Sequence, residues 1–251
     1  MKNINDLELG KGGWRDYISD LTTDALWVSN KQDKFEIPDR GFDNSTEFHG
    51  IFIHEIPYQM IKRYTKQDEV VWDCFGGAGT TWDVCQLLKR ECIINDLIPT
   101  KDYILSGDSK NFNPGKPVQM VIMHPPYWNI VKYSKDNNDL SNCTSLADFY
   151  SSFTEIVKNV NRYLVNERFL ILVCGHIYYN GEDICLGYDC IQIIRKLGYK
   201  CKGVIVKDYG ETKGGHKQRA NLEYYRALKN GYWKFAGDNI FVLQKNNSEG
   251  N

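Results

Sequence analysis

The chain has 251 residues, of which 42% are hydrophobic, and its formal net charge at pH 7 is −1. A chain of this length can bury one substantial core, and one domain with inserts is favoured over two domains. The near-neutral charge excludes a uniformly basic protein, so a nucleic-acid partner would have to be bound by a local basic patch.

The cysteine pattern and the hydropathy indicate the cellular compartment in which the protein functions. The eight cysteines are scattered singly, with no C-x-x-C pair and no zinc-type histidine spacing, so we expect a reducing compartment and no metal site. The first residues, "MKNINDLELGKGGW", have no apolar signal core, and no run approaches the ~20 apolar residues of a membrane span. We therefore expect a cytoplasmic protein that does not contact membranes.

Residues 1–47 are polar and rich in turn-forming residues, and we expect an N-terminal extension in which "DALWVSN" is a short buried element. Residues 48–245 then alternate between helix and strand patterns, and residues 246–251 are expected to be a flexible tail. Apolar spacing predicts helices in "IPYQMIKRYT", "TTWDVCQLLKR", "SLADFYSSFTEIVKNVNRYL" and "YDCIQIIRKLG". Strands are predicted in "EVVWDCF", "ECIIND", "VQMVIMH", "RFLILVCG", "YKCKGVIVKDY" and "DNIFVLQK".

This alternation predicts a doubly wound α/β fold, with a mainly parallel sheet and helices on both faces. Fully apolar strands such as "FLILV" fit burial on both sides of the sheet. The final strand is expected to run antiparallel to the strand before it.

A glycine-rich turn, "VVWDCFGGAGTT" at residues 70–81, joins a predicted strand to a predicted helix. Gly76, Gly77 and Gly79 allow backbone N–H groups to approach a ligand closely, and the helix N-terminus beyond them favours anionic groups. No lysine follows the last glycine, which disfavours a Walker-type nucleotide loop. The spacing is not G-x-G-x-x-G, but Asp96 ends the next strand, where such folds place a carboxylate that binds ribose hydroxyls.

Three acidic residues lie near successive strand ends, namely Asp73, Asp96 and Asp108. Ligands of open α/β sheets bind at the carboxyl ends of the strands, so these side chains are candidates for a common site. The alternative is that each carboxylate only caps the turn that follows it.

Two motifs together resemble those of a known family. "DCFGGAGTT" resembles the S-adenosylmethionine loop D-x-F-x-G-x-G-T-T of the amino-group DNA methyltransferases, and "HPPYW" resembles their catalytic D/N/S-P-P-Y/F motif. Residues 48–73 look like the segment that precedes the loop in that family and packs against the methionine end of the cofactor. The resemblance is close over roughly residues 48–135, and it implies a Rossmann-like class I methyltransferase fold.

The resemblance also implies roles for individual residues. S-adenosylmethionine would be bound by Asp73, Phe75, Gly76, Gly77, Gly79, Thr80, Asp96 and Asp108. The catalytic residues would be His124, Pro125, Pro126 and Tyr127. His124 departs from the family, which usually carries Asp, Asn or Ser at this position. The substitution leaves the target base undetermined, and it raises the alternative of a catalytically impaired relative.

The chemistry expected of the second motif follows from the weakness of an exocyclic amino nitrogen as a nucleophile. His124, while neutral, and the Pro125 carbonyl would accept the amino hydrogens, while paired prolines fix the direction of that carbonyl. Tyr127 would stack on the target ring, and Trp128 would extend the pocket wall or meet the neighbouring base. Residues 129–142 either fold over a flipped nucleotide or form an ordinary solvated loop.

Residues 196–234 contain ten Lys or Arg and three acidic residues, interleaved with aromatics. Such a stretch is either a solvated face or a DNA-contacting surface, and a methyltransferase core favours the second interpretation. The candidate nucleic-acid contacts are Trp128, Lys132, Lys213, Lys217 and Arg219. No sizeable target-recognition domain is visible, so sequence readout is expected from short loops, a second copy in a homodimer, or a partner protein.

The leading hypothesis is a DNA methyltransferase that uses S-adenosylmethionine to methylate a flipped base, at adenine N6, as in restriction–modification systems. The alternatives are methylation of cytosine N4, amino-methylation of RNA, and a non-catalytic nucleic-acid-binding partner with the same fold.

Overall fold

The computed structural model describes residues 4–18, 20–28, 53–208, 220–233 and 237–247. Three of the predicted nucleic-acid contacts (Lys213, Lys217 and Arg219) and residues 248–251 of the predicted tail lie outside the described residues.

The described strands and helices alternate along most of the chain. The strands are β1 (Leu26–Val28), β2 (Val70–Asp73), β3 (Glu91–Asp96), β4 (Leu105–Ser106), β5 (Val118–Met123), β6 (Leu164–Cys174), β7 (Ile177–Tyr179), β8 (Glu182–Ile184), β9 (Tyr199–Asp208) and β10 (Gly237–Lys245). The helices are α1 (Glu55–Tyr64), α2 (Thr80–Leu88), α3 (Leu146–Tyr163), α4 (Leu186–Lys196) and α5 (Ala220–Asn230). Short 3₁₀ segments lie at Gly10–Tyr17, Trp128–Ile130 and Leu140–Asn142. None of the described helices has the length and apolar character that crossing a bilayer requires.

Eight strands form one sheet in the order β1-β9-β10-β6-β5-β2-β3-β4. All neighbouring strands in it are parallel except at β10, which lies between β6 and β9 and runs antiparallel to both. The predicted mainly parallel sheet and its antiparallel C-terminal strand are therefore confirmed. The topology is that of a doubly wound α/β fold.

The centre of the sheet is buried on both faces, as its apolar strands predicted. Along β5, Val121 and Met123 pack with residues of α3 and α4, whereas Met120 and Ile122 pack with residues of α1 and α2. All four side chains are inaccessible to solvent. Side chains alternate between the faces of a strand, so an uninterrupted apolar run is what a strand with helices on both sides requires.

Several short elements were not predicted. Strand β4 has two residues, and β7 and β8 form a separate antiparallel hairpin. The predicted buried element in the N-terminal extension is β1, which pairs in parallel with β9 and forms the edge of the sheet. Trp27 in this strand is buried, but Leu26 is 63% exposed. One strand of the extension is therefore built into the main sheet.

Candidate active site

The two predicted motifs meet where the strand order reverses. From β2 the chain proceeds outward to β3 and β4, and it then returns to add β5 on the other side of β2. The carboxyl ends of β2 and β5 are therefore adjacent, which is where doubly wound sheets bind ligands. The loops that follow these two strands open into one cavity of about 800 Å³.

The glycine loop follows β2 and is held by backbone hydrogen bonds. The Gly76 N–H donates to the Asn95 carbonyl at 2.9 Å, and the Gly79 N–H donates to the Gly76 carbonyl at 2.8 Å. A Cβ at Gly76 would lie 2.4 Å from Ile94 Cγ2, and Gly79 has φ +80 where α2 begins. Both positions therefore require glycine, the first for space and the second for backbone conformation.

The carboxyl group of Asp73 lies beneath this loop, and its side chain borders the cavity. Oδ1 accepts from the Phe75 N–H at 3.0 Å and Oδ2 accepts from the Thr81 hydroxyl at 2.5 Å. Asp73 is 2% exposed. Burial raises its pKa from 3.8 to about 7. The two hydrogen bonds act in the opposite direction and lower the pKa, whereas the charge of Asp96 makes a smaller contribution that raises it. A buried carboxyl that ionises near neutral pH is poised to respond to a bound cation.

The carboxylate of Asp96 ties β3 to the glycine loop. One oxygen accepts from the Gly77 N–H at 2.9 Å, and the other accepts from the Ile98 N–H at 3.0 Å. Burial raises the pKa of Asp96, and these backbone hydrogen bonds oppose the rise. Asp96 therefore caps the turn that follows β3, and it also borders the cavity.

Asp108 follows β4 and borders the same cavity. Its Oδ1 accepts from the Lys110 N–H at 2.9 Å, and its Oδ2 lies 3.3 Å from Lys110 Nζ. Asp108 thus caps its own turn and is neutralised by Lys110, unlike Asp73. Of the predicted cofactor residues, all but Gly79 border the cavity.

The second motif follows β5, and all four of its predicted catalytic residues border the cavity. Pro125 and Pro126 lack N–H donors, which ends the strand ladder at Met123. The Tyr127 hydroxyl donates to Asp238 Oδ1 at 2.6 Å and lies 3.3 Å from His124 Nε2. Loss of solvent lowers the pKa of His124, and the charge of Asp238 opposes this. His124 is therefore neutral at pH 7, as an acceptor role requires.

The ionisable side chains that border the cavity are mostly carboxyl groups. Five aspartates border it, and no Lys or Arg does so in the part of the chain that the structure describes. These aspartates are Asp73, Asp96, Asp108, Asp139 and Asp238. Such a lining favours a cationic ligand and disfavours a phosphate.

Residues 129–142 form one wall of the cavity. Asp139 is 4% exposed and accepts hydrogen bonds from the Ser141 N–H and the Ser134 hydroxyl, each at 2.8 Å. Tyr133, Ser134 and Asn138 border the cavity beside it. The segment is thus organised by its own hydrogen bonds against the site and is not an ordinary solvated loop.

One of the predicted nucleic-acid residues is placed otherwise than expected. Trp128 is 4% exposed, its indole N–H donates to the Cys143 carbonyl at 3.1 Å, and its ring packs edge-on against Tyr179 at 4.8 Å. It supports the loop from inside the core, and a nucleic-acid contact would require its exposure. Lys132 is exposed, but its ammonium donates to the Ser141 carbonyl.

The basic stretch 196–234 also needs one correction. Lys207 of β9 lies opposite Asp238 of β10 and is only 4% exposed. Because its side chain is buried, it cannot contact a phosphate. Burial lowers its pKa, against the charges of Asp238 and Asp208. Arg226 and Lys229 of α5 are exposed.

A buried polar network that the sequence did not reveal supports the strand ends around the site. The Trp72 indole donates to Asn95 Oδ1 at 2.7 Å, and Asn95 Nδ2 donates to Ser109 Oγ at 2.9 Å. The Ser109 hydroxyl in turn donates to the Cys74 carbonyl at 2.5 Å. Because every member has a partner, the network fixes β2, β3 and the turn after β4 relative to each other.

Comparison with known proteins agrees with this geometry. Residues 19–101 match the family model described as DNA methylase, N6_N4_Mtase. This segment is therefore similar to the amino-group methyltransferases. The match covers the glycine loop and ends before the motif at 124–127, so that motif rests on its own residues and its place in the cavity. The family implies S-adenosylmethionine as the methyl donor.

Solved structures resemble the chain only distantly. TrmN from Thermus thermophilus is 11% identical with a TM-score of 0.48, over 77% of this chain and 49% of TrmN. Precorrin-6y C5,15-methyltransferase from Geobacter metallireducens GS-15 is 13% identical with a TM-score of 0.48, over 80% of this chain and 93% of that enzyme. A protein described as a DNA modification methylase, also from Thermus thermophilus, is 19% identical with a TM-score of 0.39, over 58% of this chain and 53% of that one.

The chain thus spans about half the length of TrmN. No curated protein sequence matches it.

Proposed function

We propose that this protein is an S-adenosylmethionine-dependent DNA methyltransferase that modifies the exocyclic amino group of a flipped base, adenine N6. The observation that carries the proposal is the single cavity bordered both by the glycine loop and by His124, Pro125 and Tyr127. Its volume of about 800 Å³ lies within the ~300–1,000 Å³ typical of small-molecule sites.

The charge of the cavity supports the choice of cofactor. S-adenosylmethionine carries a positive sulfonium and a positive ammonium group, and the aspartates that line the cavity suit both. Asp73 and the glycine-loop backbone would hold the amino-acid end, and Asp96 would accept from the ribose hydroxyls. When bound, the cofactor supplies a methyl group on a positively charged sulfur.

The chain's own residues would prepare the acceptor nitrogen. Neutral His124 and the Pro125 carbonyl each accept an amino hydrogen, which localises the nitrogen lone pair away from the ring. Tyr127 stacks on the base and fixes its plane. With the amino group held by His124 and Pro125 and the ring held by Tyr127, alignment of the nitrogen with the methyl group that the cofactor would supply would govern the rate.

A base inside a duplex cannot reach this cavity, so it must be flipped out or already unpaired. Surface features near the C-terminus support a nucleic-acid partner. Arg226 and Lys229 are exposed on α5 beside Tyr225, and Trp233 is 93% exposed. Basic side chains next to exposed aromatics are typical of nucleic-acid surfaces. The preference for adenine over cytosine rests on the family resemblance alone.

The decisive experiment incubates the purified protein with labelled S-adenosylmethionine and with DNA and RNA in separate reactions, followed by nucleoside mass spectrometry. N6-methyladenine in DNA is expected. N4-methylcytosine would support the reaction class and replace the target base, whereas a product confined to RNA would overturn the DNA assignment. The absence of any product, with cofactor binding intact, would favour the non-catalytic partner.

A further inference from the structure

One carboxylate that the sequence did not single out faces the second motif. Asp238 is the second residue of β10, which starts at the carboxyl edge of the sheet because it runs antiparallel to its neighbours. It is 3% exposed, borders the cavity, and accepts the 2.6 Å hydrogen bond from Tyr127. Buried Lys207 lies directly across the strand ladder from Asp238.

The geometry fixes the direction of the hydrogen bonds. The Tyr127 hydroxyl has one proton, and it donates that proton to Asp238 Oδ1. The 3.3 Å contact between the Tyr127 oxygen and His124 Nε2 can then be a hydrogen bond only if Nε2 carries a proton. In a neutral imidazole the unprotonated nitrogen is then Nδ1.

Resting on the proposed function, we propose that Asp238 is a positioning residue that acts through Tyr127 to hold His124 in the Nε2–H tautomer, which makes Nδ1 the atom that accepts the amino hydrogen. Asp238 takes no part in the methyl transfer itself, and its carboxylate need not contact the base. Its role is to decide which ring nitrogen of His124 is an acceptor.

Removal of the carboxylate should reverse this arrangement. Without Asp238, the Tyr127 hydroxyl can donate its proton to His124 Nε2, which moves the imidazole proton to Nδ1. Nδ1 would then be a donor facing an amino group that is also a donor. The site would keep its shape and lose its acceptor.

The first test measures the tautomer without any methylation assay. Long-range ¹H–¹⁵N NMR of the cofactor-free protein distinguishes the two tautomers, and a His124→Gln variant identifies the signal among the five histidines. The Nε2–H form is expected in the wild type, with a shift toward Nδ1–H in Asp238→Ala. A wild-type Nδ1–H form, or an unchanged tautomer in Asp238→Ala, would overturn the proposal.

The matched control is Asp189→Ala. Asp189 also accepts a 2.6 Å hydrogen bond from a tyrosine, Tyr150, but it does not border the cavity. This variant removes the same kind of pair at a different place. It is expected to leave the His124 tautomer and the methylation rate unchanged.

The second test uses single-turnover methylation. Asp238→Ala should lower the rate by roughly 10–100-fold, part of what a positioned acid–base group supplies, and leave cofactor affinity within about twofold. Tyr127→Phe should cost a similar factor, and the double variant should be no slower than the slower single variant, because both changes break one relay. Multiplied losses in the double variant would mean that Asp238 acts independently of Tyr127.

The two proposals fail in distinguishable ways. The expected tautomer without amino-methylation would refute the proposed function and leave the relay intact. Methylation with a tautomer insensitive to Asp238 would refute the relay alone.

Discussion

The buried carboxyl of Asp73 gives cofactor binding a pH dependence whose sign and size can be worked out. Burial raises its pKa to about 7, so in the cofactor-free protein it is half protonated near neutral pH. A cation bound beside it stabilises the ionised form and lowers that pKa. S-adenosylmethionine should therefore bind better as pH rises through 7, and binding below this pH should release a proton.

The magnitude follows from the titration curve. With a pKa of about 7, the ionised fraction rises from about a tenth at pH 6 to about nine-tenths at pH 8. Affinity should therefore rise about tenfold over this range, equivalent to ~1.4 kcal/mol. In Asp73→Asn the amide oxygen can still accept from the Phe75 N–H but cannot ionise. The affinity of this variant should be lower at pH 8 and independent of pH.

Titration calorimetry in two buffers of different ionisation enthalpy, phosphate and Tris, checks both the affinity and the proton count. At pH 6 the binding enthalpies measured in the two buffers should differ by nearly the difference between the buffers' ionisation enthalpies, since almost one proton is released. At pH 8 the two binding enthalpies should almost coincide. A constant affinity with matching heats would refute the reasoning. If Asp73→Asn kept the same pH dependence, another carboxyl, such as Asp96, would be the group that titrates.

Four further predictions concern the loop and the motif. Gly76→Ala should destabilise the fold by about 1–3 kcal/mol in urea unfolding, because its Cβ would clash with a packed isoleucine. Asp96→Ala should weaken S-adenosylmethionine binding by about 1–3 kcal/mol in calorimetry, and unchanged affinity would contradict the ribose contact. Tyr127→Ala should abolish methylation and keep cofactor affinity; loss of both would make Tyr127 a structural residue. At saturating cofactor, the rate should fall with acid only below pH 6.5, because the pKa of His124 is lowered from that value and protonation removes its acceptor nitrogen; a flat profile there would refute that role.

Sequence periodicity was sufficient to predict the main sheet because its central strands and helices are long and their burial is uniform. A strand such as β6 carries seven consecutive buried residues, which only a sheet covered on both faces accommodates. The two-residue β4 and the hairpin of β7 and β8 are too short to show periodicity. Their strand character comes from pairing with neighbours, which no local pattern records.

The site was predictable where its residues are adjacent in sequence. The glycine loop and His124–Tyr127 are local motifs, and the strand order brings them together. Asp238 lies 111 residues from its partner Tyr127, so nothing near the motif points to it. For Trp128 the local motif was misleading. Its place after Tyr127 suggested that it extends the pocket wall or meets the neighbouring base, whereas the Cys143 carbonyl and Tyr179 hold it inside the core.

The distribution of charge separates the two ligands that the proposed reaction requires. A cation is favoured in the aspartate-lined cavity, and a phosphate brought to within about 5 Å of one uncompensated carboxylate would be repelled by roughly 3 kcal/mol at an effective dielectric of 20. A neutral base can therefore enter, but the phosphates that carry it must remain outside. Arg226 and Lys229 are exposed and do not border the cavity. In the proposed reaction, the acidity that would favour the cationic cofactor would also favour a base rotated out of its strand, because the neutral ring could then enter the cavity while the phosphates stay outside it.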